Sequence, residues 1–195
     1  MTSLPIHQME QEAPHLSFDT LHRAQMALMC EIQKTGIQPK RLLIADMSLP
    51  SNQPRVWVFT LDGQKPRLVM KEWVAHGAGS DPGKTGVPVQ FSNRINSNET
   101  SLGLYEIASP YIGGHGWSYN LEGLTPGYNT NVAKRHVVLH PADYVSRGHA
   151  GRSLGCPAMR PQAVQALRKL GMEDAFMWID GPGAPTVSCG QGGQA

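Results

Sequence analysis

The apolar positions of the chain change their period along its length, and each change marks an element. Between residues 17 and 35, Phe18, Leu21, Ala24, Leu28 and Ile32 recur at steps of three and four. That spacing predicts an amphipathic helix, with Ser17 as its N-cap and Gly36 as its stop. Beyond Pro39 the pattern becomes solid apolar runs at 42–47, 55–61 and 67–75, which predict strands. Asp62-Gly63 is a hairpin signal between the last two, and Pro66 asks for a loop longer than two residues. Residues 76–98 are rich in Gly, Pro, Ser and Asn and read as a long functional loop. Shorter strands are expected at 102–107, 117–121 and 135–139, and a last one at 176–179. Pro161 suits the first position of a short helix running to Leu170. Residues 181–195, rich in glycine, read as a mobile tail. The expectation is a mainly β domain over 41–180, with a helical extension over 1–40 before it.

Composition narrows the class. The chain of 195 residues is 40% apolar and 16% charged, enough to build a core and too little charge for a disordered protein. The net charge is only +2 and no basic run appears, which excludes nucleic acid as the main partner. No stretch approaches the roughly 20 apolar residues of a membrane span. Residues 1–14 lack the basic and apolar regions of a secretory signal, so a cytoplasmic protein and one whose leader was removed both stay open. Cys30, Cys156 and Cys189 make an odd count: one leftover thiol in an oxidising compartment, or three reduced cysteines in the cytoplasm.

The stretch most able to carry chemistry is Arg135-His-Val-Val-Leu-His-Pro-Ala-Asp143, followed by Gly151-Arg-Ser-Leu-Gly-Cys-Pro-Ala158. A strand would deliver His140 at its end, and a glycine-flanked turn would deliver Cys156. An imidazole beside a thiol can lower its pKa and move its proton, so fast alkylation near neutral pH would mark an activated Cys156. Pro157 has no N–H, so an oxyanion would have to be held by the N–H groups of Leu154, Gly155 or Cys156. The alternative is that Cys156 is a small buried hydrophobe. His136 and His140 have the spacing of a shared zinc site on a helix. However, on a strand they stand about 13 Å apart, so no metal is expected there.

Six stretches in order resemble the L,D-transpeptidase catalytic domains, in particular a divergent murein branch. They are Val74-Ala-His-Gly77 with Ser80, Phe91-Ser-Asn93, Ser101-Leu-Gly-Leu-Tyr105, Gly114-His-Gly116 with Leu121-Glu-Gly-Leu124, Val138-Leu-His140 with Ala142-Asp-Tyr144, and the Cys156 motif. The resemblance covers residues 42–180. It implies a β-sandwich-like fold and a cysteine that attacks a peptidoglycan tetrapeptide stem, forming a thioester that an amine of a second stem resolves. Carried over by position, Cys156 matches the nucleophile, His140 the base, and Ser153 and Gly155 the residues of the Ser-x-Gly-Cys motif. No cofactor is implied, carbapenems become expected acylating agents, and the wall substrate implies a periplasmic or otherwise exported protein.

Where commoner members have glycine after the base, histidine before the motif glycine and arginine after the cysteine, this chain has Pro141, Leu154 and Ala158. The carboxylate-binding residue must therefore lie elsewhere, and Arg152 and Arg160 are the local choices. His76, directly before Gly-Ala-Gly-Ser80, is a further substrate-binding candidate, with His115 and His149 in glycine-flanked turns and Trp117 as a cleft wall. In an exported protein, Cys30 and Cys189 could bond and leave Cys156 free. The rival activities are an L,D-carboxypeptidase, in which water resolves the same thioester, and a non-catalytic wall-binding module. A papain-like endopeptidase is disfavoured because that fold places its cysteine before its histidine.

Overall fold

The computed structural model describes residues 5–189. Two helices, α1 (Ile6–Glu12) and α2 (Phe18–Thr35), precede the sheet, where the sequence pattern marked only the second. Ser17 takes the N-cap position of α2 without a side-chain bond, and Gly36 closes the helix in the left-handed region, its N–H on the Ile32 carbonyl at 2.8 Å. The strands are β1 (Arg41–Asp46), β2 (Val56–Thr60), β3 (Arg67–Glu72), β4 (His76–Gly77), β5 (Gly103–Gly113), β6 (Gly116–Gly123), β7 (Val138–Pro141), β8 (Arg152–Ser153), β9 (Ala158–Met159) and β10 (Ala175–Asp180). Helix α3 (Pro161–Leu170), with its proline in the first turn as expected, lies between the last two.

Eight strands form one mixed sheet in the order β3-β2-β1-β10-β5-β6-β7-β9. Its edges nearly meet: Val74, just past β3, bridges Met159 in β9, and the Ala75 N–H reaches the Ala158 carbonyl at 2.8 Å. The mainly β fold is therefore a sheet curled nearly into a barrel, with β4 and β8 pairing beside it. The central strands are buried on both faces, which is why their sequences read as solid apolar runs rather than alternation. In β1, Leu43 and Ala45 point into the barrel with Met177 and Ile179 of β10, while Leu42 and Ile44 point outward with Phe176 and Trp178. Leu21, Ala24 and Leu28 of α2 and Met9 of α1 cover that outer face.

Helix α2 is fastened by more than packing. Arg23 grips Asp180 through two bonds of 2.9 Å, and the Trp178 indole N–H donates to the same carboxylate at 2.7 Å. Beyond β10 the glycine-rich composition suggested a mobile tail. The described part of it, 181–189, is instead tied down: Ala184 and Val187 pack on the core under α2, and Cys189 is bonded to Cys30 of that helix. The rest of that segment lies outside the described residues.

The disulfide closes a separation of 159 residues, so it removes much freedom from the unfolded chain. Replacing Cys30 and Cys189 by serine is expected to cost about 2–5 kcal/mol in urea denaturation. Alkylation of the denatured, unreduced protein should tag one thiol. Three tagged thiols without reductant would contradict the bond.

Candidate active site

The site is built where β7 runs beside β9. His140 stands opposite Ala158 in this parallel pair, two residues beyond Cys156. Before β7, His136 takes a positive φ of 52°, an uncommon conformation for a residue with a side chain. That twist turns its carbonyl toward the Cys156 sulfur, 3.7 Å away, and the Val138 N–H donates to the same sulfur at 3.4 Å. The cysteine turn is locked by Ser153, whose hydroxyl donates to the Cys156 carbonyl at 2.7 Å and accepts the Gly155 N–H at 3.1 Å. Gly155 is thereby removed from the possible oxyanion donors. Among the described residues the N–H groups of Leu154 and Cys156 have no hydrogen-bond partner.

Gly155 itself has φ 118°, open only to glycine at low cost. A Cβ there would lie 2.9 Å from the Glu99 carbonyl and 3.0 Å from Arg135 Nη2. Arg135 reaches the carbonyls of Ser92 and Glu99 and the hydroxyls of Ser97 and Ser101. It ties together residues 92–101 and lies against Gly155 of the cysteine turn. Sequence reasoning gave this arginine no role, although it heads the histidine stretch.

The His140 ring is buried and its Nδ1 lies 2.9 Å from the Pro141 carbonyl. A carbonyl only accepts, so Nδ1 carries the hydrogen and Nε2 keeps a lone pair. The exposed His115, at the tip of the β5–β6 hairpin, stacks on that ring with centroids 4.3 Å apart. Burial pushes the Cys156 thiol up, against the opposing pull of the Val138 N–H and Arg135. Burial likewise pushes His140 down, opposed by the Pro141 carbonyl and reinforced by His115. Both shifts favour the neutral thiol and the neutral imidazole.

His76 and Arg152 meet at a different place. They pair across β4 and β8, and line a cavity of about 340 Å³ with Asp81, Lys84 and His149. His76 is wholly buried; its Nδ1 accepts from Arg55 Nη2 at 2.8 Å, so Nε2 carries the hydrogen and faces Asp81 at 3.6 Å. Burial first, then the Arg55 charge, pulls its pKa down to about 4. Arg55, also fully buried and donating to the carbonyls of Val74 and Leu49, was invisible in the sequence pattern because nothing marks an arginine that turns inward. Arg152 is exposed, on the opposite side of β8 from Ser153. Arg160 is held by Glu72 and lies over Trp73, so it is not free to take a carboxylate. Trp117 is stacked under Arg168 at 3.9 Å.

Residues 12–179 match the L,D-transpeptidase catalytic domain family, and the chain belongs to it. Similar solved structures include an L,D-transpeptidase from Mycobacterium smegmatis, at 15% identity and TM-score 0.43 over 72% of this chain and 58% of that one. A second L,D-transpeptidase, from Xylanimonas cellulosilytica, is 12% identical with TM-score 0.41 over 85% and 81%. The helical cell shape determining protein of Campylobacter jejuni is 13% identical with TM-score 0.49 over 72% and 47%. The chain thus spans less than two thirds of the length of the Mycobacterium smegmatis protein. No curated protein matches it. The family acts on peptidoglycan, which implies a place outside the cytoplasm, and the disulfide is consistent with export. No helix among the described residues is long and apolar enough to cross a membrane.

Because burial holds the thiol protonated, the alkylation rate of Cys156 should be slow at pH 7 and keep climbing through the ordinary thiol range near pH 8.5. A rate already level below pH 7 would contradict the assignment. Gly155→Ala is expected to lower stability by about 1–3 kcal/mol, seen as a lower melting temperature, since neither backbone angle nor space admits a methyl group.

Proposed function

We propose that this protein is a peptidoglycan L,D-transpeptidase acting through a Cys156 thioester. The observation that carries the reading is the arrangement on β7: one N–H of the strand, Val138, bonds the sulfur, and two residues on the strand presents His140 with Nε2 unprotonated. Family membership supports it. In this scheme the sulfur attacks a stem-peptide carbonyl as His140 Nε2 takes its proton. The N–H groups of Leu154 and Cys156 receive the developing oxyanion. The C–N bond breaks, the amine leaves with the proton from His140, and the acyl group stays on the sulfur. An amine from a second stem then attacks the thioester and restores the thiol. The shifted but neutral pair suits this sequence, because each proton moves only as charge develops.

The decisive experiment incubates the protein with a disaccharide-tetrapeptide and reads the products by mass spectrometry, with Cys156→Ala beside it. The expected result is a cross-linked dimer lacking one D-alanine, absent with Cys156→Ala and reduced about a hundredfold or more in His140→Ala. Tripeptide and free D-alanine without dimer would make the protein an L,D-carboxypeptidase. No thioester and no product would leave a wall-binding module.

A further inference from the structure

The β5–β6 hairpin ends in a two-residue turn, Gly114-His115, between the paired Gly113 and Gly116. Its neighbours at 113, 114 and 116 are all glycine, so His115 carries the only side chain at the tip. Strand β6 pairs with β7 so that Tyr119 stands opposite Leu139, and the hairpin therefore runs on past the end of β7, where His140 stands. The tip comes to rest there. A Cβ on Gly116 would lie 3.9 Å from Pro141 Cγ, and the His115 ring stacks on the His140 ring with centroids 4.3 Å and planes 26° apart.

A histidine side chain has two torsions, and both must be fixed if one ring nitrogen is to act as a base at a fixed place. The Pro141 carbonyl, 2.9 Å from Nδ1, sets which edge of the ring carries the hydrogen and where that edge points. The stacked His115 covers one face, so the ring cannot turn about its bond to Cβ or swing outward on that side without displacing the hairpin tip. The contact also has an electrostatic side, since two imidazoles so close resist being charged together. Burial is the first cause of the lowered His140 pKa, and the charge that His115 can carry adds to it. The other titratable groups about the pair are Cys156 beside β7, and Asp143 and Tyr144, which share a cavity with His115. Arg160 and Arg168, at the start and end of α3, are already engaged by Glu72 and Trp117.

We propose that His115 is a positioning residue for the base: its ring, laid on that of His140, holds the imidazole in the orientation from which Nε2 takes the Cys156 proton. The inference rests on the transpeptidase reading. In this role His115 acts through His140 alone and binds no substrate. No bond is made or broken at His115. The proton passes from sulfur to Nε2 as the C–S bond forms, and the stack speeds that step by removing orientations the base would otherwise sample.

The test follows thioester formation on Cys156 by rapid-mixing mass spectrometry over a range of disaccharide-tetrapeptide concentrations. Beside it, NMR titration of the His140 ring signals in the free protein reads the base directly. His115→Ala is expected to lower the maximal rate about fivefold, the scale of one aromatic stack, and to leave the half-saturating concentration unchanged. It should also move the His140 titration midpoint to higher pH, because a covering ring and a positive neighbour are lost together. His115→Phe keeps a flat ring without the charge, so the rate should return to within about twofold of the unmodified protein, with a smaller rise in the midpoint. An unchanged maximal rate in His115→Ala overturns the proposal. An equal loss in both variants overturns it too, as does a change confined to the half-saturating concentration, which would make His115 a substrate contact. If the unmodified protein forms no thioester, the transpeptidase reading falls and the role in attack with it. An unmoved His140 midpoint in His115→Ala is a separate failure, read without substrate, in which the two rings do not act on each other.

Discussion

Around Gly155 the main chain comes so close to the Glu99 carbonyl and the Arg135 guanidinium that no side chain fits, and the chemistry-bearing face is arranged about this approach. The turn at φ 118° faces the neighbouring N–H groups of Leu154 and Cys156 away from other partners. Ser153 holds the turn from one side by bonding both Gly155 and Cys156. Arg135 lies against it on the other side, and its bonds go to Ser92, Ser97, Glu99 and Ser101. The end of the long loop is thereby packed against the cysteine turn. An arginine suits this position because its planar fork satisfies several carbonyl and hydroxyl oxygens at once while its charge lies near the sulfur.

The electrostatics follow from the same crowding. Burial disfavours charge on both Cys156 and His140, and the nearby Arg135 and Val138 N–H offset this only in part for the sulfur. A neutral pair costs less to keep inside the fold than a separated ion pair, because desolvating two charges exceeds what their attraction returns unless further hydrogen bonds support them. The buried Arg55–His76 pair shows the complementary solution: the arginine keeps its charge by donating to three carbonyl bonds and a ring nitrogen, and the histidine stays neutral.

These groups are held in place by a sheet filled on both sides. Inside the barrel lie Leu43, Tyr105, Leu139 and Met177; outside, Trp57, Phe176 and Trp178 lie beneath α1 and α2. The outer layer is clamped at Asp180 by Arg23 and at Cys30 by Cys189, so the described chain after β10 is held against the core and α2. Two cavities differ in charge, the one lined by His115 and Tyr144 carrying Asp143 and the one lined by His76 and His149 carrying Lys84 and Arg152 with Asp81.

Local rules determined much of this. The period of α2, its Gly36 stop, Pro161 at the start of α3 and the β-branched run ahead of His140 are short-range signals, and they place the elements that present His140 and Cys156. The short α1 was missed because it has no capping side chain and only Met9 of its residues is buried. His76 and Arg152 were both legible as candidates, but not that the first lies wholly inside, against Arg55, while the second stays exposed across β4 and β8. Only the tertiary structure decided that Arg135 supports Gly155, that Cys30 meets Cys189 across 159 residues and that Asp143 shares a cavity with His115. Periodicity and turn chemistry act over a few residues and are written in order along the chain. Which side chains meet depends on how the sheet curls and which strands become neighbours, and no local pattern carries that information.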